Sequence, residues 1–159
     1  MRPFAAALVL LAATAAPAVA QSDAQHMLEA IFQSFDENHD GQVDTAEANR
    51  FIDKAFHDMD PKRTGRVTPQ AWMSFSFGLA DLAADQGRSD AYDRAKAQIF
   101  RRWDTRGAGV LTLEDYRAGV LGDARKALGD RATQGGDMRL DFAAFQRMPF
   151  VRALMKSLR

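Results

Sequence analysis

Cysteine is missing from all 159 residues, which removes disulfides and thiolate chemistry whatever the redox state of the compartment. Net charge is missing as well: 21 basic side chains balance 21 acidic ones. Phosphate binding needs a clear basic excess, so nucleic acid is not an expected partner. The sequence has no Gly-x-Ser-x-Gly elbow and no glycine-rich phosphate loop ending in Lys, and His26, His39 and His57 lack the spacing of a zinc site. An enzyme is therefore not expected. Long apolar runs are confined to the start of the chain. There Arg2 precedes an Ala-rich stretch from Phe4 to Ala16, too short for the ~20 residues that cross a bilayer. Ala18, Val19 and Ala20 follow as a small-residue cleavage site, so residues 1–20 read as a signal peptide cut after Ala20 and the product as periplasmic or secreted. Losing Arg2 leaves a formal charge near minus one, and the remaining length suits one domain with a modest core.

One local absence is more informative. Residues 36 to 47 hold five acids and neither Lys nor Arg. Such a run of like charge is unfavourable unless a cation neutralises it, and its spacing suits a hard dication such as calcium, which takes six to eight oxygens at about 2.3–2.6 Å. Asp36, Asn38 and Asp40 stand at loop positions 1, 3 and 5 to give side-chain oxygens, and Gln42 at position 7 gives its carbonyl. Asp44 at position 9 acts directly or through a water, and Glu47 at position 12 closes the far side with two oxygens. Gly41 permits the sharp turn at position 6.

The loop has weaker copies. Phe35-Asp36 recurs as Met59-Asp60 and Trp103-Asp104; Gly41, Gly65 and Gly109 share position 6, and Val43, Val67 and Leu111 share position 8. Asp44, Thr68 and Thr112 at position 9 can each N-cap the following helix, with Glu47 and Asp115 three residues on as in a capping box. A fourth frame sets Leu140 at position 8 and Asp141 at position 9, counting from Thr133. Between loops the period is helical: Met27, Leu28, Ile31, Phe32 and Phe35 form one apolar face, and Phe51, Ile52, Ala55, Phe56 and Met59 another. Pro69 follows the cap Thr68, and Trp72, Phe75 and Leu79 continue that helix; Ser89 caps a helix bearing Tyr92, Ala95, Ile99, Phe100 and Trp103. The expected class is all-α, with very short strands only at position 8. Loops one (36–47) and two (60–71) fall in residues 21–84, a linker covers 85–90, and loops three (104–115) and four (about 133–144) fall in 91–159 with a basic C-terminal helix.

These residues make the chain resemble EF-hand proteins over nearly its whole length. The resemblance implies helix-loop-helix repeats, calcium as the bound ion, and metal roles for Asp36, Asn38, Asp40, Gln42, Asp44 and Glu47. It implies one strong site. In loop two Lys62, Thr64 and Ala71 replace ligands while Arg63 and Arg66 oppose a dication; in loop three Asp104 and Asp115 survive, but Arg106 and Ala108 fill positions 3 and 5; loop four keeps almost no ligands. The degenerate copies are then retained for packing.

Only 12 residues separate loops one and two, so one helix of about 18 Å must serve both and hold them at its opposite ends. Loop one is expected to pair with a more distant loop. The compressed spacing resembles bacterial exported EF-hand proteins, among them the lanthanide-binding lanmodulins, which Pro61 and Asp44 also match in part. That makes trivalent lanthanide an alternative ligand, since four carboxylates favour higher charge. Interaction is the other alternative. Val151, Leu154, Met155 and Leu158 share a helical face beside Arg147, Arg152, Lys156 and Arg159, a pattern that packs on a core or touches an anionic membrane, and the apolar helix faces can hold a protein partner.

Overall fold

The computed structural model describes residues 16–76, 78–129 and 137–159, with side chains from residue 23 onward. The first fifteen residues of the expected signal peptide and the opening residues of loop four, Thr133 and Gly135 among them, lie outside the described residues. The chain is mostly helical, as expected. Among the described residues it forms eight helices: α1 (Ala16–Phe35), α2 (Thr45–Met59), α3 (Pro69–Ser74), α4 (Leu79–Asp85), α5 (Ser89–Trp103), α6 (Leu113–Leu128), α7 (Phe142–Arg147) and α8 (Pro149–Ser157). None is long and apolar enough to cross a membrane. Two strands, β1 (Gln42–Asp44) and β2 (Arg139–Asp141), complete the fold.

The apolar stripes become the core. Leu28, Ile31, Phe32 and Phe35 of α1 and Ile52, Ala55, Phe56 and Met59 of α2 are buried, as a 3.6-residue period requires of helices packed on one side. Two aromatic clusters fill the space between helices. Phe35 stacks on Phe51 at 3.5 Å and meets Phe145 at 5.6 Å. Trp103 stands edge-on to Trp72 at 5.5 Å, Tyr116 at 5.6 Å and Phe150 at 5.4 Å. Val151 of α8 and Leu158 just beyond it pack inward, and Arg147, Arg152, Lys156 and Arg159 are exposed.

Pairing of the loops follows from the length of α2. Its 15 residues span about 22 Å at 1.5 Å per residue, which keeps its two flanking loops apart. Loop one instead meets the fourth frame: β1 and β2 run antiparallel with Val43 opposite Leu140. Loop two meets loop three, where Val67 and Leu111 exchange backbone hydrogen bonds of 2.8 and 2.9 Å. All four residues at these two crossings are buried.

Three local expectations need correction. Trp72, Phe75 and Leu79 do not share one helix: α3 stops at Ser74, Phe75 turns to extended backbone, and Gly78 takes a φ of 84° before α4 begins. The side chain of Lys96 drives this break by donating from Nζ to the carbonyls of Met73 and Phe75, while Ser76 Oγ accepts from Ala80 N at 3.0 Å to start α4. Arg88, not Ser89, is the N-cap of α5, and it makes no side-chain capping bond. The linker is shorter than 85–90, because Asp85 closes α4 and Ser89 opens α5.

Candidate metal centre

Phe35, Met59 and Trp103 are the last residues of α1, α2 and α5, and each delivers an Asp to the same task. Asp36 accepts from Asp40 N at 3.1 Å and Gly41 N at 2.9 Å. Asp60 accepts from Thr64 N at 3.0 Å and Gly65 N at 2.7 Å, and Asp104 from Ala108 N at 2.8 Å and Gly109 N at 2.7 Å. Closing so tight a turn needs left-handed backbone twice. Position 4 supplies one instance, at His39, Arg63 and Gly107, and the glycines at position 6 supply the other. At position 9 Asp44, Thr68, Thr112 and Asp141 all accept from the backbone N–H three residues on. The described part of the fourth frame thus carries the same cap, at Asp141.

Loop one differs from its copies in how charge is arranged. Asn38 Oδ1 accepts from Asp40 N at 2.8 Å, and Asp40 Oδ1 accepts from Gln42 N at 2.9 Å. Glu47 reaches back across the loop: Oε1 accepts from Asn38 N at 3.1 Å and Oε2 from Asp44 N at 3.0 Å, while Asp44 Oδ1 accepts from Glu47 N at 2.8 Å. This capping box ties both ends of the loop to the first turn of α2. Asp36 is 5% exposed and Glu47 only 1%. Glu37 at position 2 turns outward to pair with Arg50 at 2.8 Å. Among the described residues, no Lys, Arg or His lies within ion-pair distance of Asp36, Asp40, Asp44 or Glu47. A buried carboxylate without a counter-charge is costly, and here two are held by neutral N–H donors alone.

The candidate ligands are brought to one loop but not to one point. Among the described residues, no three His, Asp or Glu groups converge closely enough to grip an ion as they stand. The reason is visible in the bonds just given: the oxygens of Asp36, Asp40 and Glu47 are turned to backbone donors. The donor set nevertheless fits a hard dication, being all oxygen, with four acids that no ion pair among the described residues balances.

Loop three balances its closing acid with a charge, whereas Asp60 of loop two, 5% exposed, is held like Asp36 by neutral donors alone. Burial alone would raise the pKa of Asp60, but donors on Thr64, Gly65 and Arg66 hold it below the usual carboxylate value. Asp115, at the closing position of loop three, accepts from Arg106 Nη2 at 2.6 Å. Burial would raise its pKa too, and Thr112 with the Arg106 charge brings it below normal. The guanidinium at position 3 thus takes the place of a cation. Reading the sequence exposed Arg106 as a missing ligand without revealing this partner. It also passed over Lys96, although a Lys among Tyr92, Ile99 and Trp103 on one helical stripe was a signal in plain view. His26, His39 and His57 are exposed, and His39 stands at position 4 of loop one, which is not a ligand position. Comparison of the chain with protein-family models, with curated proteins and with solved structures finds no match.

Proposed function

We propose that this chain is an exported calcium-binding protein of the EF-hand type, with one metal site in residues 36–47 and three degenerate loops that serve packing. The observation that carries this reading is the contrast between Glu47 and Asp115. Both close a loop from the third position of the following helix, yet Asp115 has Arg106 as its counter-charge and Glu47, almost wholly buried, has none among the described residues. Side-chain oxygens of Asp36, Asn38, Asp40 and Glu47, the carbonyl of Gln42 and an oxygen of Asp44 would hold the ion, which supplies the positive charge that four acids lack. Glu47 also fixes the loop to α2 through Asp44, so the site and the helix that leaves it are one unit. Binding is the function; no residue here is assigned a chemical step.

Calorimetric titration with calcium tests the proposal. One ion per chain is expected, with Glu47→Gln weakening it beyond the ~10- to 100-fold typical of an outer-shell partner. A stoichiometry other than one, or unchanged affinity in Glu47→Gln, would sink it. Tight lanthanum binding without calcium binding would instead favour the trivalent reading.

A further inference from the structure

Between α1, α3, α5 and α8 lies an apolar cavity of about 60 Å³. Its wall contains one cation, Lys96, whose residue is only 3% exposed. Nζ sits 5.4 Å from the ring centroid of Trp72 and 5.8 Å from that of Tyr92. An ammonium carries three N–H donors. Two are used on the carbonyls of Met73, at 2.9 Å, and Phe75. Among the described residues no carboxylate comes within ion-pair distance of it. The same wall includes Trp103, 4% exposed, whose buried indole N–H has no acceptor among the described residues. Apart from the Ser76 hydroxyl, the rest of the lining is apolar or aromatic, including Leu154 and Met155.

A buried cation lacking an anion and a buried donor lacking an acceptor, on the wall of an apolar cavity, are complementary to one kind of molecule. We propose that this cavity binds a small monocarboxylate with an unbranched apolar tail, its carboxylate paired with Lys96 and its tail against the aromatic wall. The inference does not depend on the metal site. At ~10–15 Å³ for each enclosed water, the cavity has room for about four to six waters, equivalent to a tail of roughly four to six carbons. Capping of α3 accounts for two of the Lys96 donors but explains neither the third nor the Trp103 N–H. Burying an ammonium here disfavours its charge, which a bound anion would offset.

Titration of the full chain with hexanoate and, separately, hexan-1-ol, followed through the two indole N–H resonances in proton–nitrogen NMR spectra, tests this. The chain has only two tryptophans, so Trp103 is identified by substituting Trp72 with Phe. Hexanoate should shift the Trp103 resonance saturably, with hexan-1-ol about tenfold weaker, a difference of ~1.4 kcal/mol, because the alcohol brings no charge to the ammonium. Lys96→Met should lose that preference while still binding the alcohol. No saturable shift with hexanoate would overturn the assignment, as would equal affinity for hexanoate in Lys96→Met. Equal affinity of the unaltered chain for acid and alcohol would do so without relying on the variant to fold.

Discussion

Lys96 shows how a single side chain alters several features at once. On α5 it sits four residues after Tyr92 and three before Ile99, positions that a helix of 3.6 residues per turn places on the buried side. Burial pushes its pKa down from 10.5 to about 8, against a smaller opposing pull from Asp93. The consequence for stability has a definite sign. Between about pH 8 and 10 the unfolded chain retains the proton that the folded chain has released, so stability rises with pH across that window and is flat just below it. Burial raises the pKa of Tyr92 and Tyr116 above the ordinary 10.0, so above about pH 10 their ionisation in the unfolded chain reverses the slope. Urea denaturation from pH 7 to 11 should show a maximum near pH 10, and Lys96→Met should abolish the rise. The acids of loop one were legible in the sequence because each ligand type falls at a fixed offset from its neighbour. The stripe that buries Lys96 was legible too, but neither its carbonyl partners nor the Arg106–Asp115 pair was, because those partners are set by where the chain breaks and turns rather than by spacing.

Helices α5 and α6 meet through a glycine. A Cβ on Gly119 would lie 2.4 Å from Cγ of Trp103, and Trp103 is boxed in by Trp72, Tyr116 and Phe150. Replacing Gly by Ala inside a helix gains about 1 kcal/mol from propensity, while overpacking costs ~1–3 kcal/mol and sometimes more. With the indole unable to move, the clash wins. Gly119→Ala should lower stability by a net ~1–2 kcal/mol, whereas Gly122→Ala on the same helix, which meets nothing within 4 Å, should raise it by ~0.5–1 kcal/mol. Denaturant midpoints of the two variants check both signs. At this scale the sequence was largely readable. Apolar residues at spacings of three and four marked α1, α2 and α5, and the position 9 caps marked where α2, α3, α6 and α7 begin. The break between α3 and α4 was hidden, because Phe75 and Leu79 keep the helical spacing across it and only the Lys96 bonds to Met73 and Phe75 reveal the stop.

The two crossings, Val43 with Leu140 and Val67 with Leu111, are nested one inside the other. The 12-residue gap between loops one and two foretold that loop one would find a distant partner; which one was not legible beyond the fit of Leu140 to position 8. Leu140 is 3% exposed and lies against Val43. Leu140→Ala should therefore cost ~2–5 kcal/mol, and it should weaken calcium binding at loop one although it touches no ligand. Calorimetry on a folded preparation of that variant separates the two effects, and unchanged affinity would show that β2 supports the fold alone. Nesting also fixes an order of events during synthesis. The inner crossing closes a short stretch of chain and becomes available as soon as Leu111 has emerged. Joining β1 to β2 closes a much longer one, at a greater entropic cost, and must wait for residues made far later. A chain still being made would therefore carry loop one without the strand that steadies it, and the site would ripen only after Asp141 had left the ribosome.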